Sequence, residues 1–248
     1  MKRSGNTILM TGGGSGIGRA LAQRLHDAGN TVIVAGRHEG KLREAAEGRS
    51  GIEPVVLDVD DRDALATRAQ ELTKRWPKLN VVIANAGIMR RERIEGSRDL
   101  ADAEATITTN LLGPVRLIDA FVDHLKEQPD AAIVTVTSGL AFVPMPASAT
   151  YCATKAAIHS YTQSLRARLA GQVEVIELVP PAVQTELTPG QSTREGYMPL
   201  DDFANEVMNL LQTEPTPSEI LVERVKAMRF AERDGQVAAQ LERLSQIA

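Results

Sequence analysis

Apolar residues in this chain come in short blocks, separated by stretches with helical periodicity. Thr7 to Thr11 is the first block and Thr31 to Ala35 the second. Between them Ile17, Ala20, Leu21, Leu25 and Ala28 recur on one helix face, which Gly29-Asn30 closes. A strand, a helix and a strand in that order form a parallel pair, because so long a connection crosses over the sheet. The alternation continues. Val55 to Val59 reads as a third strand, Arg62 to Trp76 as a helix stopped by Pro77, and Val81 to Ala84 as a fourth strand. Leu100 to Lys126 reads as a long helical stretch with a kink at Gly113-Pro114, and Ala131 to Thr137 as a fifth strand. Thr150 to Ala170 is the next helix, Val173 to Val179 a sixth strand and Ile220 to Val222 a brief seventh. Apolar strands alternating with helices predict an α/β protein with a doubly wound parallel sheet of about seven strands, helices on both faces.

No repeat, linker or low-complexity segment divides residues 1–248, so one domain is expected. Two regions stand outside the alternation. Leu187 to Leu200 is turn-rich and leads into a helix over Asp201 to Leu211. A loop that long in a compact domain is a lid or a binding loop, so residues 187–212 are expected to shape a substrate site. In the tail, 237–248, Val237, Leu241, Leu244 and Ile247 share a helical face that packs on the body or on another subunit.

Composition removes several function classes. A net charge of −4 leaves no basic surface dedicated to nucleic acid. The single cysteine, Cys152, excludes an internal disulfide and a multi-cysteine metal site. His26, His38, His124 and His159 are scattered, so no metal is expected. The first residues hold too few apolar positions for a signal peptide, and no apolar run is long enough to span a bilayer. A cytoplasmic protein with no membrane partner is the expectation.

The chemistry starts at the turn after the first strand. Gly12, Gly16 and Gly18 stand as G-x-x-x-G-x-G between that strand and the helix that follows. Such a turn needs residues without Cβ: for the tight bend, for close approach to a pyrophosphate, and for helix–strand packing. Helix N-terminal amides then face the anion. The spacing departs from G-x-G-x-x-G, and the absence of Gly-Lys-Ser/Thr excludes a Walker-type loop. A Rossmann-type dinucleotide site is the expectation, with a glycine-rich loop that holds no ligand as the alternative. At the tip of the second strand an acidic residue would bind the ribose 2′-hydroxyl of NAD. Here Gly36 and Arg37 stand there, and a guanidinium suits the 2′-phosphate of NADP. Ser15 occupies the place where a second basic residue would strengthen the case. NADP is the expected cofactor, with NAD left open.

Tyr151-Cys152-Ala153-Thr154-Lys155 places a phenol and an ammonium one helical turn apart. A cation beside a phenol lowers its pKa, giving a proton donor and acceptor usable near neutral pH. By itself this spacing also describes an ordinary helix face.

Taken together, Thr11-Gly12-x-x-x-Gly16-x-Gly18, Asn85-Ala86-Gly87, Asn110, Ser138 and Tyr151-x-x-x-Lys155 resemble the short-chain dehydrogenase/reductase family in its compact form, from about Asn6 to Val222. The resemblance implies an oxidoreductase that interconverts a carbonyl and an alcohol. Tyr151 would be the acid or base. Lys155 would hold ribose hydroxyls and lower the Tyr151 pKa. Ser138 would bind the substrate oxygen, and Asn110 would complete a proton relay. Gly12, Ser15, Gly16, Ile17 and Gly18 would hold the cofactor's phosphates, Arg37 its 2′-phosphate and Asp58 its adenine. Asn85, Ala86 and Gly87 would line it, and Val183 and Thr185 would meet its carboxamide. The implied partners are a small carbonyl or alcohol substrate and further copies of the chain, as homodimer or homotetramer through Leu100–Lys126 and Thr150–Ala170.

Three departures from the family pattern stand out. Ala84 replaces a frequent Asn, Pro181 replaces the usual Gly beside the nicotinamide, and Pro144 and Pro146 stiffen the Ser–Tyr connection. A non-catalytic dinucleotide-binding sensor on the same fold would be expected to lack one of the four catalytic residues, and all are present. The downstream pattern Glu177-Leu178-Val179-Pro180-Pro181 further resembles a bacterial subgroup named as oxidoreductases associated with D-alanylation of lipoteichoic acid. That name carries no chemistry of its own.

Overall fold

The computed structural model describes residues 1–246, and among them seven strands form one parallel sheet. They are β1 (Thr7–Thr11), β2 (Thr31–Gly36), β3 (Ile52–Val56), β4 (Leu79–Ala84), β5 (Ala132–Val136), β6 (Glu174–Val179) and β7 (Glu219–Leu221). Their order is β3-β2-β1-β4-β5-β6-β7. The chain winds outward from β1 to β3, returns to lay β4 on the other edge of β1, and winds the opposite way. The loops leaving β1 and β4 therefore part, which opens a crevice at the carboxyl ends of the strands.

Side chains alternate across the sheet, so each strand feeds two cores. Ile8 and Met10 pack with Val32, Val34 and Ile83 under α1 (Gly16–Asp27) and α7 (Leu200–Leu211). Leu9 packs with Ile33, Val82 and Ile133 under α3 (Arg62–Arg75), α5 (Gly113–Lys126) and the end of α6 (Ala149–Arg168). Each fully buried aliphatic side chain contributes about 1.5–3 kcal/mol, enough for burial to override local propensity. The polar helix α3 needs only Leu65, Ala69 and Leu72 on its inner face.

Three elements differ from expectation. β3 begins and ends three residues before the expected Val55 to Val59. It is an edge strand, where Pro54 is tolerated because no ladder bond needs its N–H. Leu57 and Val59 are buried just beyond the ladder, and this burial is what their apolar character reflects. Helix α2 (Glu39–Ala46) escapes a periodicity reading because only Leu42 and Ala45 are buried. Between α4 (Ala101–Ile107) and α5, Thr108–Leu112 forms a π-helical turn just ahead of the expected kink. Pro114 has no N–H to offer Asn110 four residues back. The Gly113 amide instead reaches the Thr108 carbonyl, five residues back.

After β7 come the short α8 (Lys226–Arg229) and the tail helix α9 (Val237–Ser245). The tail packs on the body of its own chain: Val237, Leu241 and Leu244 join a small cluster with Val143, Met145 and Tyr151. Ile247, the last member of the expected apolar face, and Ala248 lie outside the described residues.

Candidate active site

The turn from β1 into α1 is held by contacts that leave no room for a Cβ. Gly12 has φ +67°, and a Cβ there would sit 2.8 Å from Asn85 Nδ2. A Cβ on Gly18 would sit 2.3 Å from the Gly12 carbonyl oxygen. Asn85 braces the turn from β4, its Nδ2 donating to the Thr11 carbonyl at 3.0 Å and the Gly12 carbonyl at 3.3 Å. The Thr11 hydroxyl accepts from the Asn85 and Ala86 amides, both at 3.2 Å. Asn85 is thus a positioning residue for the glycine turn.

A first cavity lies in the crevice. Gly12, Ser15, Ala86 and Gly87 border it near the turn, and Arg37 and Asp58 at its far end. Gly16, Ile17 and Gly18 form the first turn of α1 behind it. The set fits a dinucleotide: an amide-rich helix start meets a phosphate, and a cation stands past the tip of β2. Sequence reasoning missed three residues here. Lys41 and His38 also line the cavity. Asp60 faces Arg37, with Oδ2 3.7 Å from the guanidinium. Asp60 Oδ2 accepts from the Thr109 hydroxyl at 2.9 Å, while its Oδ1 is buried without a partner among the described residues.

Asn110, Ser138, Tyr151 and Lys155, distant in sequence, converge at the ends of β4 and β5. Asn110 sits on the π-helical turn and clamps residue 88. Its Oδ1 accepts from the Ile88 amide and its Nδ2 donates to the Ile88 carbonyl, both at 2.8 Å. Gly87 lies between Asn110 and Lys155: a Cβ on it would be 3.3 Å from Asn110 Oδ1 and 3.7 Å from Lys155 Nζ. Lys155 is buried and donates to the Val136 carbonyl at 2.8 Å. Its Nζ lies 5.6 Å from the centroid of the Tyr151 ring. Ser138 follows β5, and its Oγ accepts from the Leu140 amide at 3.1 Å.

Burial dominates the titration of both groups. Burial pushes the Lys155 pKa down to about 8. Burial also holds the Tyr151 phenol above its ordinary range, with Ser138 acting in the opposite direction. Desolvation of the phenolate is the largest of these effects, and the Ser138 hydrogen bond is the smaller, opposing one. At neutral pH the phenol keeps its proton and is a donor.

Ser138 and Tyr151 open onto a second cavity, walled by Met89, Pro181, Leu187 and Leu244 among others. Met145 and Tyr197 also line it. Val143 and Met198 are buried in the clusters behind it. Phe142 meets His159 edge-on, 4.7 Å between centroids. Val183 is buried, and Thr185 rests 3.5 Å from a Cβ built on Gly16. Gln191, which sequence reasoning missed, ties these two together: its Nε2 donates to the Val183 carbonyl at 2.8 Å and the Thr185 hydroxyl at 3.2 Å. Its only signal was membership of an overlong loop.

A second missed group lies behind Ser138. The fully buried carboxylate of Glu177 accepts from the Thr137 hydroxyl at 2.7 Å and contacts His159 Nδ1 at 2.9 Å. An acid within the apolar block of β6 was its signal.

Residues 6–196 match the family model described as short chain dehydrogenase. The uncharacterised oxidoreductase DltE of Bacillus subtilis strain 168 is 40% identical over 239 residues, 94% of each chain. A short chain dehydrogenase from Burkholderia cenocepacia J2315, crystallised in complex with NADP, superposes with a TM-score of 0.82 at 26% identity, covering 97% of this chain and 99% of that one. A short-chain dehydrogenase/reductase from Burkholderia phymatum, in complex with NAD, shares the fold with a TM-score of 0.83 at 21% identity over 96% of each chain. The family match over most of the chain, together with the 40% identical relative, shows that the chain belongs to the short-chain dehydrogenase family of oxidoreductases.

Proposed function

We propose that this protein is an NADP(H)-dependent oxidoreductase that interconverts a carbonyl and an alcohol, with Tyr151 as acid and base. One observation carries the reading: the segment Ala86 to Arg91 borders the first cavity with Ala86, Gly87 and Ile88, and the second with Met89 and Arg91. Asn110 and Lys155 flank it where it passes from one to the other.

A bound nicotinamide dinucleotide would supply or accept the hydride. The chain's own groups handle charge and protons. As a carbonyl is reduced its oxygen gains negative charge; Ser138 donates a hydrogen bond to it and Tyr151 delivers the proton. Lys155 holds ribose hydroxyls, and Asn110 fixes the backbone through which a proton relay reaches Tyr151. The glycine turn and Ser15 hold the pyrophosphate, Arg37 the 2′-phosphate and Asp58 the adenine. Val183 and Thr185 are the carboxamide contacts. Residues 187–212 form the substrate loop. Leu100, Ile107 and Leu112 are exposed along the helix expected to pair subunits, which supports a homodimer or homotetramer testable by sedimentation.

The test is NADPH oxidation against a panel of aldehydes and ketones. Tyr151→Phe is expected to lower turnover by about 10²–10⁴-fold with NADP affinity preserved. Undiminished turnover in that variant would overturn the assignment.

A further inference from the structure

We infer that the carbonyl substrate is an anion, a small aliphatic oxo acid whose charged group is held by Arg91 and Arg194. The inference rests on the reading of Ser138 and Tyr151 as the reacting end of the second cavity. Two guanidinium groups line that cavity, and among the described residues no carboxylate does. The remaining wall is largely apolar, with Met89, Leu140, Met145, Met228 and Leu244. Arg91 is exposed and Arg194 partly so, which places both charges on the solvent side of an apolar chamber.

Neither arginine is neutralised within the described residues. Of the neighbouring arginines, Arg90 faces Asp102 at 3.6 Å and Arg98 pairs with Glu92, while Arg93 does not line the cavity. Arg194 donates instead to a neutral group, the Tyr197 hydroxyl, at 3.4 Å. In a chain of net charge −4, two uncompensated cations beside one apolar cavity favour an anionic ligand over a neutral one of the same shape.

Both cations ride on backbone that is tied down. Next to Arg91, the Glu92 carboxylate accepts from the Thr150 amide at 2.9 Å and hydroxyl at 2.7 Å, while the Glu92 amide donates to the Ala147 carbonyl at 2.9 Å. This fastens the segment to the start of α6, two residues from Tyr151. Around Arg194, Gln184 Nε2 donates to the Arg194 carbonyl at 3.2 Å, and the Gln184 amide to the Met198 carbonyl at 2.8 Å. The loop expected to be a lid is thus stitched to the segment that follows β6. Backbone already held in place spares part of the ordering cost when these guanidinium groups meet a carboxylate or sulfonate, and the fork geometry rewards a planar or tetrahedral oxyanion. A neutral carbonyl of the same shape would leave them hydrated and gain only the apolar contact.

Two readouts test this on the intact protein. The first is calorimetric binding of saturated carboxylates of four to eight carbons, against their amides, to the NADP-loaded protein. The second is kcat/KM for NADPH oxidation with the matching ω-oxocarboxylates against their methyl esters. The wild type is expected to favour the acid by about tenfold or more in both. Arg91→Gln and Arg194→Gln should each reduce that preference, and the pair together should remove it. Arg194→Lys should keep part of it, and added salt should weaken it. NADP affinity and thermal unfolding show whether each variant is folded. Equal binding of acid and amide by the wild type, or a preference that survives in the double variant, would overturn the proposal. Charge-dependent binding with no reduction of any oxo acid would leave the anion site standing and remove the hydride-transfer reading. Reduction of ester and acid with equal efficiency would do the reverse.

Discussion

The two cavities share a crevice but are built by opposite means. At its glycine turn the first is made from backbone and small residues just past β1 and β4, which strand register holds in place. The second is made from side chains on segments as far apart as Met89 and Leu244. Recognition of a phosphate by amides demands a tight turn, so it appears in the chain as glycine spacing. Shape for a substrate demands only that distant side chains meet, and no local pattern records that. Holding a cofactor and choosing a substrate are therefore separable here, and substitutions should separate them.

The sharpest separation is at Gly18. Its Cβ would lie 2.3 Å from a carbonyl oxygen and 2.5 Å from the bracing amide of Asn85, neither of which is the free end of a flexible side chain. Gly18→Ala is expected to cost about 1–3 kcal/mol of stability through overpacking and to weaken NADP at least about tenfold. Gly40 in α2 meets nothing within 4 Å, so Gly40→Ala should leave NADP affinity unchanged and raise the melting temperature slightly. Equal behaviour of the two variants in thermal unfolding and NADP titration would break the contrast.

Asn110 is the point where the two regions should not separate. Its two 2.8 Å bonds hold Ile88, in the segment that borders both cavities. Asn110→Ala leaves the Ile88 amide and carbonyl without these partners, at a cost of about 1–3 kcal/mol. Cofactor dissociation constant and substrate KM are expected to rise together. A change in melting temperature alone would reduce Asn110 to a structural brace.

A pH profile probes the same junction. Below about 8 Lys155 carries its ammonium, and above it the buried amine is neutral. Burial keeps the Tyr151 proton in place across that range. If the ammonium is needed, kcat/KM for reduction falls as pH rises through about 8, by about tenfold per unit beyond it. A profile flat to pH 10 would separate Lys155 from the chemistry.

The legibility of the chain follows the same division. The alternation of strands and helices and the glycine turn after the first strand rest on periodicity and spacing, and the fold has both. The π-helical turn at Asn110 was legible only as a kink, since Pro114 marks a broken ladder but not how the backbone repairs it. β3 slid because Leu57 and Val59 are apolar for burial outside the sheet. Helix spacing reports that Lys155 neighbours Tyr151 and is silent about the burial that raises the phenol's pKa. Lys41, Asp60, Gln191, Arg91 and Arg194 were unreadable as site residues, since each gains meaning only from a segment distant in sequence.

Leu244 tests the substrate side alone. It reaches the second cavity from the tail helix and packs in the cluster around Tyr151. Leu244→Ala is expected to raise substrate KM by about tenfold, the low end of the range for a lost pocket methylene, and to leave NADP affinity where it was. A matching loss of NADP affinity would show that the tail supports both cavities.

The smallest effect should come from Asp60, on the cofactor side. Its carboxylate lies 3.7 Å from Arg37, and both side chains are partly open to solvent, at 27% and 50%. Exposed pairs of this kind are worth about 0.2–1 kcal/mol, so the charge of Arg37 is only modestly engaged. Asp60→Asn keeps an acceptor for the Thr109 hydroxyl while removing the negative charge. If Arg37 binds a 2′-phosphate, the change frees the guanidinium and removes a repelling carboxylate. NADP should then tighten relative to NAD by less than about fivefold, the ceiling set by an exposed pair. Arg37→Ala should move the ratio the opposite way. A weaker NADP complex in Asp60→Asn would mean that the carboxylate aims Arg37 at the phosphate, making the pair one positioning unit.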